Sequence, residues 1–166
     1  MTTIQCFPPI ESPRAKVLIL GSMPGKASLQ ASQYYAHPRN AFWPIMGELM
    51  GVAPNLPYAT RIEILQSAGI ALWDVLASCL RDGSLDAGIV EASIAVNDFK
   101  TFFLTHPGIA DVFFNGGTAE RYFIKYALPL LEPNGLRFHR LPSTSPAHAA
   151  KTFQQKLADW GAVVQL

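Results

Sequence analysis

Four short apolar runs constrain this chain most: KVLILG at 16–21, GIALWDVL at 69–76, ADVFFN at 110–115 and LRFHRL at 136–141. Each is shorter than an ordinary helix and dominated by leucine, β-branched or aromatic residues, so each reads as a strand. The stretches Phe42 to Met50, Thr60 to Ser67, Val96 to Thr105, Thr118 to Tyr126 and Ala147 to Trp160 read as helices. Strand and helix therefore alternate, which predicts a parallel sheet with helices on both faces. The expected fold is α/β, a three-layer αβα sandwich around a central, mainly parallel four-stranded sheet. Pro54 to Pro57 and Pro129 to Asn134 read as connecting turns, and no internal repeat is visible.

A chain of 166 residues fits one domain spanning 1–166, and 49% hydrophobic against 15% charged residues is enough to build a core. Thirteen Lys plus Arg against 12 Asp plus Glu leave a formal charge of +1, so any contact with a polyanion has to be local. No apolar run approaches the roughly 20 residues that span a bilayer. The opening residues MTTIQCFPPIESPRAK lack a charged region followed by an apolar one, so a cytoplasmic protein is expected. Cys6 and Cys79 form no CxxC pair, and His37, His106, His139 and His148 show neither HxxxH nor HExxH spacing. Reduced thiols, no metal, no cofactor, no membrane contact and a monomer are expected.

In such a sheet a ligand sits at the carboxyl ends of the strands. The polar boxes lie there: Gly21-Ser22-Met23-Pro24-Gly25 follows the first strand, Asn115-Gly116-Gly117 ends the third, and Pro142-Ser143-Thr144-Ser145-Pro146 follows the fourth. The glycines of the first box let backbone approach a ligand closely, but the GKS/T ending of a phosphate-binding P-loop is absent. Tyr34 and Tyr35 either stack on a planar ligand or pack half-buried, whereas Phe42 and Trp43 belong to a core. The Asn40 amide either holds a water or caps the helix beginning at Ala41. Asn115 either reads the edge of a base or takes a left-handed turn. Ser143, Thr144 and Ser145 stand ahead of the final helix, whose positive end favours an anion such as a DNA phosphate, and His148 is placed to join them. The plain alternative is Ser145 as that helix's cap. Asp74, Arg81, Ser84 and Asp86 are expected to fix the loop after the second strand, and with no GxSxG elbow a serine hydrolase is poorly supported.

Together these segments resemble the uracil-DNA glycosylase superfamily, which carries a GxxPG-type turn after its first strand and a PSxxS-type loop after its last. The matching residues are Gly21-Ser22-Met23-Pro24-Gly25 and Leu141-Pro142-Ser143-Thr144-Ser145. The stretch Tyr35-Ala36-His37-Pro38-Arg39-Asn40-Ala41-Phe42-Trp43 looks like the aromatic-AHPxNxFW segment of the mismatch-specific branch. Two departures narrow the resemblance. Met23 stands where uracil-excising branches place a water-positioning Asp or Asn, and Leu141 where they place His or Asn beside the leaving base. The combination is similar to the hypoxanthine-DNA (deoxyinosine) glycosylase branch, in which the asparagine of the HPRN segment takes over catalysis.

The resemblance implies a monofunctional enzyme that hydrolyses the N-glycosidic bond of deoxyinosine in DNA, releasing hypoxanthine and leaving an abasic site. Its partner would be DNA containing deaminated bases. By the same resemblance Asn40 is catalytic, Tyr35, Asn115, Gly21, Ser22 and Met23 contact the base, and Pro24, Gly25, Ser143, Thr144, Ser145 and His148 contact DNA. The alternatives are a uracil or mixed deaminated-base glycosylase of the same fold, a non-catalytic DNA-binding module, and a hydrolase of free nucleosides.

Overall fold

The computed structural model describes residues 2–132 and 135–165. Its elements run β1 (Thr2–Gln5), β2 (Val17–Gly21), α1 (Lys26–Ala31), α2 (Phe42–Met50), α3 (Tyr58–Ser67), β3 (Ile70–Asp74), β4 (Leu76–Arg81), β5 (Ile89–Val96), α4 (Phe99–Thr105), β6 (Asp111–Asn115), α5 (Gly117–Tyr122), β7 (Arg137–Leu141) and α6 (Phe153–Trp160). The four expected strands form one parallel sheet in the order β3-β2-β6-β7.

Successive side chains of a strand point to opposite faces, and in β2, β3 and β6 both faces are buried. Leu18, Leu20, Val112 and Phe114 pack against Phe99 and Phe102 of α4 and Ala119 and Tyr122 of α5. Val17, Ile19, Phe113 and Leu72 pack on the other side against Phe42, Ile45 and Met46 of α2, Leu65 of α3 and Trp160 of α6. Helices thus cover both faces of the sheet, as the alternation predicted. From β2 the chain moves to β3 on one side, then returns to place β6 on the other. That reversal opens a crevice between the carboxyl ends of β2 and β6, the usual ligand position in such sheets.

Several boundaries differ from the expected ones. The single strand over 69–76 breaks at Val75. The Val75 N–H donates to the Gly21 carbonyl at 2.8 Å and the Leu76 N–H to the Ser22 carbonyl at 3.2 Å, while the Val75 carbonyl accepts from Asn97 N–H at 3.0 Å. The chain thereby leaves the parallel sheet and enters a second, antiparallel one of order β1-β4-β5, which the sequence reading did not contain. Residues 77–81, expected as loop, are strand. The helix expected from Val96 starts at Phe99, because Val96 ends β5 and the Asp98 carboxylate accepts the Thr101 N–H at 3.1 Å. The short α1 was not expected. Leu128–Leu130 form a 3-10 turn, and Pro133 and Asn134 of the expected turn lie outside the described residues.

The final helix is the largest correction. It begins at Phe153, not Ala147, because Thr152 and Gln155 form a reciprocal capping box. Ser145 is therefore not its cap, and residues 143–148 do not present its N-terminus to an anion.

One buried charge pins the outer strand. Asp111, at the start of β6, receives Arg137 Nε and Nη2 of β7 at 2.9 and 2.6 Å, and His139 Nε2 lies 2.8 Å away. Arg137 first, then His139, holds the Asp111 carboxyl below the ordinary carboxylate range. A depressed folded-state pKa contributes stability above the unfolded value, and that contribution is lost as pH falls through the folded one. Asp111→Asn is thus expected to lower Tm at neutral pH, and its deficit against wild type should narrow in unfolding curves taken below about pH 4.

Candidate active site

Gly21 ends β2 at the crevice. A Cβ there would lie 2.6 Å from Asp74 Oδ1 and 2.8 Å from Tyr35 Oη, so only glycine lets these two groups approach the strand end. Tyr35 reaches that position from a left-handed backbone, φ +53, which is strained for a non-glycine residue. Its ring stacks on Phe42 at 4.3 Å between centroids. Its hydroxyl is buried and unpartnered, with Asn115 beside it but outside hydrogen-bond geometry. Tyr34 is instead a core residue. It is buried, its hydroxyl donates to the Pro8 carbonyl at 2.9 Å, and its own carbonyl accepts from Trp43 Nε1 at 2.7 Å.

The GSMPG turn supplies backbone rather than reactive side chains. Met23 is 7% exposed and packs in the core under α4 and α5, and Pro24 is buried as well. Ser22 Oγ donates to Asp86 Oδ1 at 2.7 Å, and Lys26 N–H donates to Ser84 Oγ at 2.9 Å. These two contacts tie the turn to the loop after β4.

Three distant segments meet at Thr144. Its N–H donates to Asn115 Oδ1 at 2.9 Å, Asn115 Nδ2 donates to its Oγ1 at 3.0 Å, and its carbonyl accepts the Ala41 N–H at 2.9 Å. Thr144 is 1% exposed, so its expected place among the DNA contacts gives way to an inward, structural one. The Asn115 amide, expected at a base edge, spends one bond at each end on this clasp. The left-handed turn falls instead on Gly116, φ +94, where a Cβ would stand 3.0 Å from Ser143 Cβ.

Asn40 sits at the end of the HPRN segment, one residue before the Ala41–Thr144 link. Its Oδ1 accepts the Phe42 N–H at 2.9 Å, an Asx turn leading into α2. Because a backbone N–H can only be received by the carbonyl end, the amide orientation is fixed. Asn40 Nδ2 has no partner among the described residues and is the end left to act. The side chain therefore serves the entry to α2 through its oxygen, while its amino end is unengaged among the described residues.

Ser143, Ser145 and His148 are half-buried on the loop between β7 and α6. Ser143 Oγ accepts from Ser145 N–H at 3.1 Å and Ser145 Oγ from Ala147 N–H at 3.2 Å. Lys156, only 5% exposed, donates to the carbonyls of His148 at 2.8 Å and Ser145 at 3.4 Å. This lysine latches the loop to α6. No sequence signal pointed to it, since a lysine in an amphipathic helix ordinarily faces water.

Asp74 ends β3 as Gly21 ends β2 and Asn115 ends β6, and that shared position is the signal that could have placed it in the site. It is 3% exposed, Oδ2 has no partner, and burial first, then Asp86, pushes its pKa up to about 7 against the pull of Arg81. A raised carboxylate pKa favours the fold below the unfolded value, and that contribution is lost as pH rises through the folded one. Asp74→Asn is accordingly expected to gain Tm relative to wild type between about pH 5 and pH 8, measured by thermal unfolding across that range. Among the described residues no group of three or more His, Cys, Asp or Glu is arranged to hold a metal ion, and no helix is long and apolar enough to cross a membrane.

A chain with this sequence and fold has counterparts among known proteins. The model of the Uracil DNA glycosylase superfamily matches residues 8–163, and the chain belongs to that superfamily. A hypoxanthine DNA glycosylase of Methanosarcina barkeri is 33% identical over 157 residues, 94% of each chain. One of Methanosarcina acetivorans is 33% identical over 158 residues, 95% of each chain. The solution NMR structure of a candidate uracil DNA glycosylase from Methanosarcina acetivorans matches with a TM-score of 0.82 at 31% identity, over 99% of this chain and 98% of that one.

Proposed function

We propose that this protein is a DNA glycosylase that hydrolyses the N-glycosidic bond of deoxyinosine, releasing hypoxanthine and leaving an abasic site. The observation that carries this reading is the division of labour between Met23 and Asn40. The methionine is sunk in the core, while the asparagine is held by its oxygen with its amino group unpartnered. The relatives named for hypoxanthine release support the same base.

Breaking the bond leaves positive charge on the sugar and negative charge on the departing base, so oriented dipoles can lower the barrier without a strong nucleophile. Asn40 Nδ2 would donate to the negative charge growing on the departing base. The target nucleotide must first leave the duplex, at a cost of a few kcal/mol that is smallest for a mispaired base. Ser143, Ser145 and His148, on the loop latched by Lys156, together with the exposed Arg39 beside Asn40, are the side chains we assign to phosphate contact. The working form is taken as a cytoplasmic monomer of one domain, needing no metal.

The test is a duplex carrying one deoxyinosine. Free hypoxanthine in the mass spectrum, with a strand that breaks only on alkaline treatment, is expected, and activity should persist in EDTA. A strand that remains alkali-stable and yields no free base would contradict the assignment. Release of uracil is the second reading, favoured by the assignment of the solution structure that this chain resembles.

A further inference from the structure

Three buried side-chain atoms around the end of β3 have no hydrogen-bond partner among the described residues: Tyr35 Oη, Asp74 Oδ2 and Arg81 Nη1. Leaving such an atom unpaired is costly, and native proteins rarely carry one without a reason. Neither Tyr35 nor Asp74 is displaced there by crowding. Tyr35 holds a strained backbone to arrive, and Gly21 leaves the room that any other residue would fill. Asp86, the nearest acid, is taken by Ser22, and Arg81 Nε by the Gly83 carbonyl at 3.0 Å.

Deamination creates one chemical feature in common: a ring N–H beside a carbonyl, the lactam edge of hypoxanthine. Adenine presents the reverse, a ring nitrogen acceptor beside an amino group. Reading the lactam requires an acceptor next to a donor. The Asn115 amide is engaged on Thr144 at both ends, whereas Asp74 and Tyr35 offer an unengaged acceptor and donor on the same side of Gly21.

We propose that Asp74 and Tyr35 are the base-reading pair, the Asp74 carboxyl accepting the ring N1–H of the flipped base and the Tyr35 hydroxyl donating to its O6. This rests on the reading of the chain as a deoxyinosine glycosylase. The Asp74 carboxyl and the Tyr35 hydroxyl then find their partners only when a deaminated base is bound. Selection against adenine follows, because the wrong edge leaves both protein groups buried and unpaired.

The experiment compares duplexes holding deoxyinosine or 1-methyldeoxyinosine, in which a methyl replaces the N1 hydrogen. Wild type should release hypoxanthine faster than its N1-methyl analogue by about 100-fold or more. Asp74→Ala should lose most activity on deoxyinosine and bring that ratio to within about tenfold of unity, since neither the N–H contact nor the clash with the methyl remains. A purely structural role would slow both substrates alike and keep the ratio. A wild-type ratio near one, or an undiminished ratio in folded Asp74→Ala, overturns the assignment. The wild-type comparison needs no variant, so a misfolded Asp74→Ala does not shelter the proposal. Failure of wild type to release any base from the deoxyinosine duplex would instead overturn the glycosylase reading itself.

Discussion

Asn40→Ala should lower single-turnover release of hypoxanthine by about 10²–10³-fold, the usual effect of removing one preorganised donor from a site of developing charge. Affinity for the duplex should change little, because phosphate contacts supply most of it. Part of the loss of any Asn40 variant is structural, since the Asx turn at the start of α2 disappears with its Oδ1 and such caps contribute about 1 kcal/mol. Asn40→Asp separates the two. Aspartate keeps an oxygen to receive the Phe42 N–H and so keeps the turn, but it has no amino group to donate. If the amino end does the work, Asn40→Asp should be as slow as Asn40→Ala while melting at or near the wild-type temperature. An Asp variant with wild-type rates would move the role to the carbonyl end.

Asn115→Leu should be the most damaging substitution for stability in the site, at about 2–4 kcal/mol. It removes the acceptor for the Thr144 N–H and the donor to Thr144 Oγ1 together, and both Thr144 atoms are then stranded in a residue 1% exposed to water. The effect should not stay local. Thr144 also receives the Ala41 N–H, so a loosened Thr144 frees the chain next to Asn40. We expect a lowered denaturant midpoint together with a reduced excision rate, and partial recovery of both in Asn115→Gln only if the longer amide can still reach. Activity lost with stability intact would instead point to a direct contact between Asn115 and the base.

These two effects depend on features of unequal visibility in the sequence. Three strands of the parallel sheet, β2, β3 and β6, were legible because they are buried on both faces and therefore read as apolar runs bounded by turn residues, whereas the mostly exposed β7 was placed by the alternation of strand and helix. The antiparallel sheet was not. β5, Ile89–Val96, mixes Glu91 and Ser93 among its apolar residues and is only half-buried, so its period does not declare itself. The break at Val75 is set by hydrogen bonds to Gly21 and Ser22, which are remote in sequence. The final helix was placed too early because Pro146 to Ala150 is compatible with a helix, and only the capping box at Thr152 decides otherwise.

The same split runs through the site. That the polar segments at the strand ends lie together follows from where ligands sit in such sheets, and the Ala41–Thr144 bond joins the end of the HPRN segment to the loop after β7. Which atoms are spent on the fold and which are left over did not follow. Thr144 and Asn115 look like ligand contacts until their partners are known, and Asp74 looks like a loop residue until it is found unpaired beneath Gly21. Hydrogen-bond accounting needs three dimensions, because the Asn115–Thr144 bonds span 29 residues of chain and Tyr35 Oη and Asp74 Oδ2 are left unmatched among the described residues.

The most direct test of the account is single-turnover excision by wild-type protein from otherwise identical duplexes carrying deoxyinosine, deoxyuridine or deoxyadenosine. Release of hypoxanthine well ahead of uracil, with adenine untouched, is the predicted result. Uracil released as fast as hypoxanthine, or no hypoxanthine at all, would contradict it.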